Sequence, residues 1–257
     1  MTYFHSPPPY HERQRRLCCG AHTLNNLFQY KWVDSSAMDA LATSLAVADQ
    51  EEQSNSTGST DHERGWWPGI VAAASSHSRL YKSLIPGLGS YDVSVLVEAL
   101  KQKKAKFAMH LLGNQQLEKD LTALSDRLSR EGGKERGKDR TVGIILNRMS
   151  RNVTLRWLLD GRHWLALVPR SSSSSTAAAG AAAATATIEA GEVAWWDVDS
   201  KLPAPMLIGG VPQLLIYLRK NILEEGGQAF VVTEDEKEEE EDEEQREEEE
   251  KEEEDGN

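Results

Sequence analysis

The chain is predicted to be an α+β protein in which a helical subdomain packs on an antiparallel sheet. Two observations carry this: apolar residues recur at helical spacing early in the chain, and short strand-like runs dominate later. Helices are expected over 19–30, 36–48, 92–104 and 211–223. The third places Val93, Leu96, Val97 and Leu100 on one face behind Asp92, a good N-cap. The fourth does the same with Val211, Leu214, Leu215, Leu218 and Ile222 after Gly210, with Pro212 in its first turn. Strands are expected at 107–112, 142–147, 164–168, 193–198 and 229–232. Residues 49–65 read as a polar loop, and Gly132–Lys138 as a charged glycine-rich one.

A length of 257 residues suits one domain with a substantial core. The net charge of −12 is set by the C-terminal run: from Glu234 to Asn257, 18 acids face three bases, a net of −15, which leaves +3 on the rest. That run repels itself and is expected to be disordered. The Ser run and Ala/Thr run over 171–187 have no amphipathic stripe and are expected to form an extended loop insert. Two adjacent cysteines cannot staple loops and fit a reducing compartment. With no apolar run near 18 residues and no charged-then-apolar leader, a soluble monomer of the cytoplasm, with the nucleus also open to it, is expected.

The chemistry gathers at a few points. Cys18 and Cys19 stand at the mouth of the first helix, followed by Gly20, which would let a substrate backbone come close, and Gln14 lies five residues before Cys19. A thiol there would have its pKa lowered by the helix N-terminus and a nearby imidazolium. His163-Trp164 opens one strand, and Asp197 and Asp199 close another. A Gln, a Cys, then a His, then a carboxylate is the chain order of papain-like cysteine hydrolases. If the strands at 164–168 and 193–198 form an antiparallel hairpin, opposed residues have a constant sum. Pairing His163 with Asp199 puts the midpoint at 181, inside the insert. The insert then sits at the far end and can vary freely, since doubling a loop costs about 0.6 kcal/mol. Period-2 alternation puts Asp197 and Asp199 on one face, so parity cannot choose between them.

Longer stretches resemble one family. His11-Glu12-Arg13-Gln14, Cys19, Ala21-His22-Thr23-Leu24-Asn25-Asn26, Gly87 to Val93, His163 to Leu167 and Trp195 to Pro205 are similar, in order, to the Josephin domain, a papain-like deubiquitinating cysteine protease. The likeness covers 11–232, leaving 1–10 as an N-terminal extension and 233–257 as the acidic tail. It implies hydrolysis after the C-terminal glycine of ubiquitin with Cys19, not Cys18, as nucleophile, His163 as general base and Asp199, not Asp197, as its orienting acid. Gln14 would be the oxyanion donor, and Cys18 a small core residue. Relatives carry Asn or Asp at the position of Asp199, so Asp199→Asn should be milder than His163→Ala. Ubiquitin and ubiquitinated proteins are the implied partners, and no cofactor is implied.

Other residues read as structural. His22 is expected to bond to backbone, and Asn25 and Asn26 to bond locally. His62, His77 and His110 have no metal-ligand spacing. Trp66-Trp67 reads as core or a surface patch. There is no phosphate-cradling loop and no basic–aromatic interleaving for nucleic acid. Two rival functions remain: a weakly active or inactive ubiquitin-binding module of the same fold, and Cys-His-Asp acyl transfer.

Overall fold

The computed structural model describes residues 8–14, 18–55, 91–103, 107–112, 116–131, 139–149, 162–171 and 193–235. In chain order these form α1 (Cys19–Phe28), α2 (Ser35–Asn55), α3 (Val93–Lys103), β1 (Phe107–Leu112), α4 (Leu117–Glu131), β2 (Asp139–Met149), β3 (Arg162–Ser171), β4 (Val193–Asp197), β5 (Met206–Gly209), α5 (Val211–Arg219) and β6 (Gln228–Asp235). The sheet is antiparallel in the order β1–β6–β2–β3–β4–β5, so the last strand lies between the first two.

The fold class is the one expected, with a difference in how the sheet is covered. Alternate strand residues enter two separate cores. Ile145, Trp164, Ala166, Phe230 and Val232 pack with Leu24 of α1, Met38 of α2 and Leu96 of α3. Ile144, Leu146, Leu165, Leu167 and Trp195 pack with α4 and α5 on the other side. Helices therefore cover both faces. The missing cover was α4, whose Leu117, Leu121, Leu124 and Leu128 form a buried stripe at helical spacing. The short edge strand β5 was also unforeseen.

Other boundaries move for local reasons. α2 runs on to Asn55, so the first part of the expected polar loop is helix; Gln and Glu favour helix, and no Gly or Pro intervenes before Gly58. α3 starts where expected, with Asp92 Oδ1 accepting from the N–H of Ser94 at 2.9 Å. α5 loosens at Arg219 into a π turn, Lys220–Glu224. β6 extends through Glu234 and Asp235, which the sequence places in the tail; Glu234 lies 3.4 Å from Arg140 across the sheet. Residues 56–90, which carry Trp66, Trp67, His62 and His77, lie outside the described residues, as do 132–138, 172–192 and 236–257. Among the described residues no helix is long and apolar enough to cross a membrane.

Candidate active site

Helix α1 is buried along almost its whole length, from Cys19 to Leu27, because it packs on β3 with α2 and α3 around it. Gly20 is required by this packing. A Cβ there would come within 2.9 Å of the Tyr91 ring, so the bare backbone accommodates Tyr91 rather than an open substrate channel. Tyr91 then ties three elements together: its hydroxyl donates to Asp39 Oδ1 (2.6 Å) on α2, and its carbonyl accepts from Trp164 Nε1 (2.9 Å) on β3. Cys19 is thereby fixed against the start of β3. Its sulfur is served by the backbone N–H of Trp164, the residue after His163, and by those of Cys19 and Gly20.

His163 and Asp199 meet: His163 Nε2 lies 2.6 Å from Asp199 Oδ1, with both residues almost fully buried. The hairpin that brings them together is out of the expected register by two residues. Leu167 opposes Asp197 and Val168 opposes Trp196, so the midpoint is 182, still inside the insert. β4 ends at Asp197, and beyond it Val198 N–H still donates to Ala166 O at 3.0 Å. Asp199 reaches His163 diagonally from outside the ladder. A two-residue slip preserves the face, which is why the expected pair survives it.

The two aspartates, inseparable by parity, are separated by their partners. Asp199 Oδ1 also accepts from Lys201 N–H (2.8 Å), and Oδ2 accepts from Arg148 Nη2 (2.6 Å) on β2. Asp197 turns instead to α5, where its Oδ2 accepts from the Tyr217 hydroxyl at 2.7 Å. Its Oδ1 accepts from the N–H of Asp199 at 2.8 Å. Asp197 thus shapes the loop that carries Asp199, a role the sequence did not disclose.

The N-terminal strap, residues 8–14, is laid across the same corner. Gln14 N–H donates to Ser200 O at 2.8 Å, and His11 Nε2 donates to the carbonyl of Asp199 at 2.8 Å. The clamp is Asn26. Its Oδ1 accepts from Glu12 N–H (2.6 Å), and its Nδ2 donates to Glu12 O (3.3 Å) and to Val198 O (2.8 Å). Asn25 holds Glu12 Oε2 (2.5 Å) and the backbone of Trp32 and Val33. The Asn25 bonds to Trp32 and Val33 are the local kind expected, whereas the Asn26 bond to Val198 reaches across the fold. His22 Nδ1 faces Glu12 Oε1 at 3.4 Å. One side chain, Asn26, therefore joins the strap bearing Gln14, the helix bearing Cys19 and the strand end before Asp199. Asn26→Ala would leave buried backbone groups without partners, each costing about 1–3 kcal/mol. A fall in melting temperature of about 5–10 °C is expected by calorimetry; an unchanged melting point would refute the clamp.

The chain matches the Josephin family model over residues 14–233. The chain belongs to the Josephin family. A Josephin-like protein of Arabidopsis thaliana is 26 % identical over 214 residues, which are 83 % of this chain and 44 % of that protein, so the chain spans less than half the length of its relative. In this Josephin domain burial sets the resting electrostatics. It pushes the Cys19 thiol up, against the opposing pull of the Trp164 N–H, Lys201 and the N–H groups of Cys19 and Gly20. The sequence suggested a lowered thiol. Burial also holds the His163 imidazole below its ordinary value despite its bond to Asp199. For Asp199, burial pushes up, but the hydrogen bond and charge of His163, the Lys201 N–H and Arg148 together keep the carboxyl below the usual range. Burial raises the Asp197 carboxyl. Cys18, free and buried at the helix N-cap, makes no side-chain capping bond.

Proposed function

We propose that this Josephin domain is a ubiquitin hydrolase using Cys19, His163 and Asp199, with Gln14 as oxyanion donor. The observation that carries the reading is the convergence of three distant chain points. The Cys19 sulfur sits at the Trp164 N–H, one residue along β3 from His163, whose Nε2 is already taken by Asp199. That leaves Nδ1 of His163 as the ring nitrogen for the thiol.

Because burial favours an uncharged thiol and an uncharged imidazole at rest, the attack is coupled to proton transfer. The sulfur bonds to the carbonyl carbon of the ubiquitin C-terminal glycine as His163 takes the thiol proton. The negative charge on the carbonyl oxygen is met by the Cys19 N–H and the Gln14 amide, each worth about 100–1,000-fold in rate. As the tetrahedral intermediate collapses, the C–N bond breaks and His163 returns the proton to the departing amine. Water then adds to the thioester with His163 again as base, releasing the ubiquitin carboxylate and restoring the thiol.

The test is a ubiquitin bearing a thiol-reactive group at its C-terminus, together with a ubiquitin–fluorophore conjugate. Labelling at Cys19 with release of fluorophore is expected. Ubiquitin binding without labelling would instead make the domain a ubiquitin-binding module, and neither binding nor labelling would leave acyl transfer.

A further inference from the structure

Arg148 lies at the end of β2 directly across the ladder from His163. Its Nη2 is 2.6 Å from Asp199 Oδ2, while the other oxygen of the same carboxylate is 2.6 Å from His163 Nε2. The Asp199 side chain is buried and the Arg148 side chain about one-fifth exposed, so the pair is only partly screened by solvent. A carboxylate shared in this way gives His163 an oriented acceptor but little net negative charge.

We infer that Arg148 is a positioning residue that neutralises Asp199, so that the Asp199–Arg148 unit acts on His163 as a neutral hydrogen-bonding group rather than as an anion. The inference rests on the proposed roles of His163 and Asp199. Among the described residues, the charged and titratable groups facing this corner are Cys19 from α1, Arg148 from β2, Asp197 at the end of β4, Asp199 and Lys201 from the segment after it, Tyr217 from α5 and His11 from the strap. Of these, Arg148 alone is bonded to the carboxylate that orients the imidazole on the side opposite to it. Its removal leaves Asp199 still held by the Lys201 N–H and His163. The converse change is worse: Asp199→Asn keeps an oxygen for the ring but leaves the Arg148 cation beside His163 without its counter-charge. The sequence suggests that Asp199→Asn is milder than His163→Ala; the Arg148 contact makes it costly all the same.

The experiment is a double-mutant cycle over Arg148→Met and Asp199→Asn with two readouts. The first, independent of ubiquitin, is the titration of His163 followed by NMR, its signal assigned by loss in His163→Gln. Arg148→Met should move the titration to higher pH by about one unit, as expected for an opposite charge no longer neutralised. Asp199→Asn should move it lower, and the double variant should lie between them. The second is kcat/KM on the ubiquitin–fluorophore conjugate. Asp199→Asn should lose about 1,000-fold, and adding Arg148→Met should recover about tenfold of that.

A pure clamp would lower activity in Arg148→Met without moving the titration, and that result would overturn the inference. So would a double variant no faster than Asp199→Asn. If no variant, wild type included, cleaves the conjugate, the ubiquitin reading fails while the titration still decides the role of Arg148.

Discussion

Cys19→Ala is expected to abolish release of fluorophore from the ubiquitin conjugate, by about 10⁴-fold or more, while Cys18→Ala keeps most of the wild-type rate. Both cysteines are buried and free, so burial does not choose between them. Position does. Cys19 is the first residue of α1, with the Trp164 N–H and its own helix N–H groups at the sulfur. Cys18 stands one residue outside the helix. Each substitution deletes one sulfur atom from a packed site, a small loss against the 2–5 kcal/mol of truncating a buried Leu to Ala. Melting curves should therefore separate chemistry from folding. A dead Cys18→Ala with an active Cys19→Ala would mean that the nucleophile has been placed one residue too late.

His163→Ala is expected to be nearly as damaging, because residues that pass one proton between them act as a unit. It should do so without unfolding the domain. Asp199 would keep Arg148 and the Lys201 N–H, so no buried carboxylate is stranded. The pH dependence of stability carries a second signature. Burial holds the His163 imidazole below its ordinary 6.5. Between the lowered pKa and 6.5 the unfolded chain binds the proton and the folded chain does not. Stability therefore rises with pH through that window and is lost as pH falls back through it. His163→Ala should flatten that slope in urea denaturation series between pH 5 and 7. An unchanged slope would assign it to another group.

Much of this was legible because helix and strand periods report burial directly. The runs at 107–112 and 193–198 are strands within one residue of their expected ends, since each alternates or fills a core face bounded by breakers. The amphipathic stripe of α4 was also present in the sequence; its charged residues, Glu118, Lys119, Asp120, Asp126, Arg127, Arg130 and Glu131, hid four leucines. At the candidate site, the place of Cys19 at the start of α1 and the meeting of His163 with Asp199 were legible because helix mouth, strand start and strand end are places where local pattern and chemistry coincide. Arg148 was not. It is an ordinary basic residue 51 positions from Asp199, and only the β2–β3 register makes it a neighbour of His163. Asn26 was misread for the same reason. Its bond to Val198 spans 172 residues, and no local rule reports such a partner.

The place of β6 has a consequence for how this protein comes into being. The strand that joins β1 to β2 is the last one made, so during synthesis β1 has no partner in the sheet until residues 228–235 are available. Loop-closure entropy of this kind makes folding slow and late. Phe230 and Val232 complete the core beneath α1, while Ala229 and Val231 complete the opposite core, so both layers wait on the same eight residues. A nascent chain would therefore carry Cys19, His163 and Asp199 before the sheet that positions them is complete. A product truncated ahead of Gln228 would carry unpaired strand edges and two unfinished cores, a species for quality control to remove.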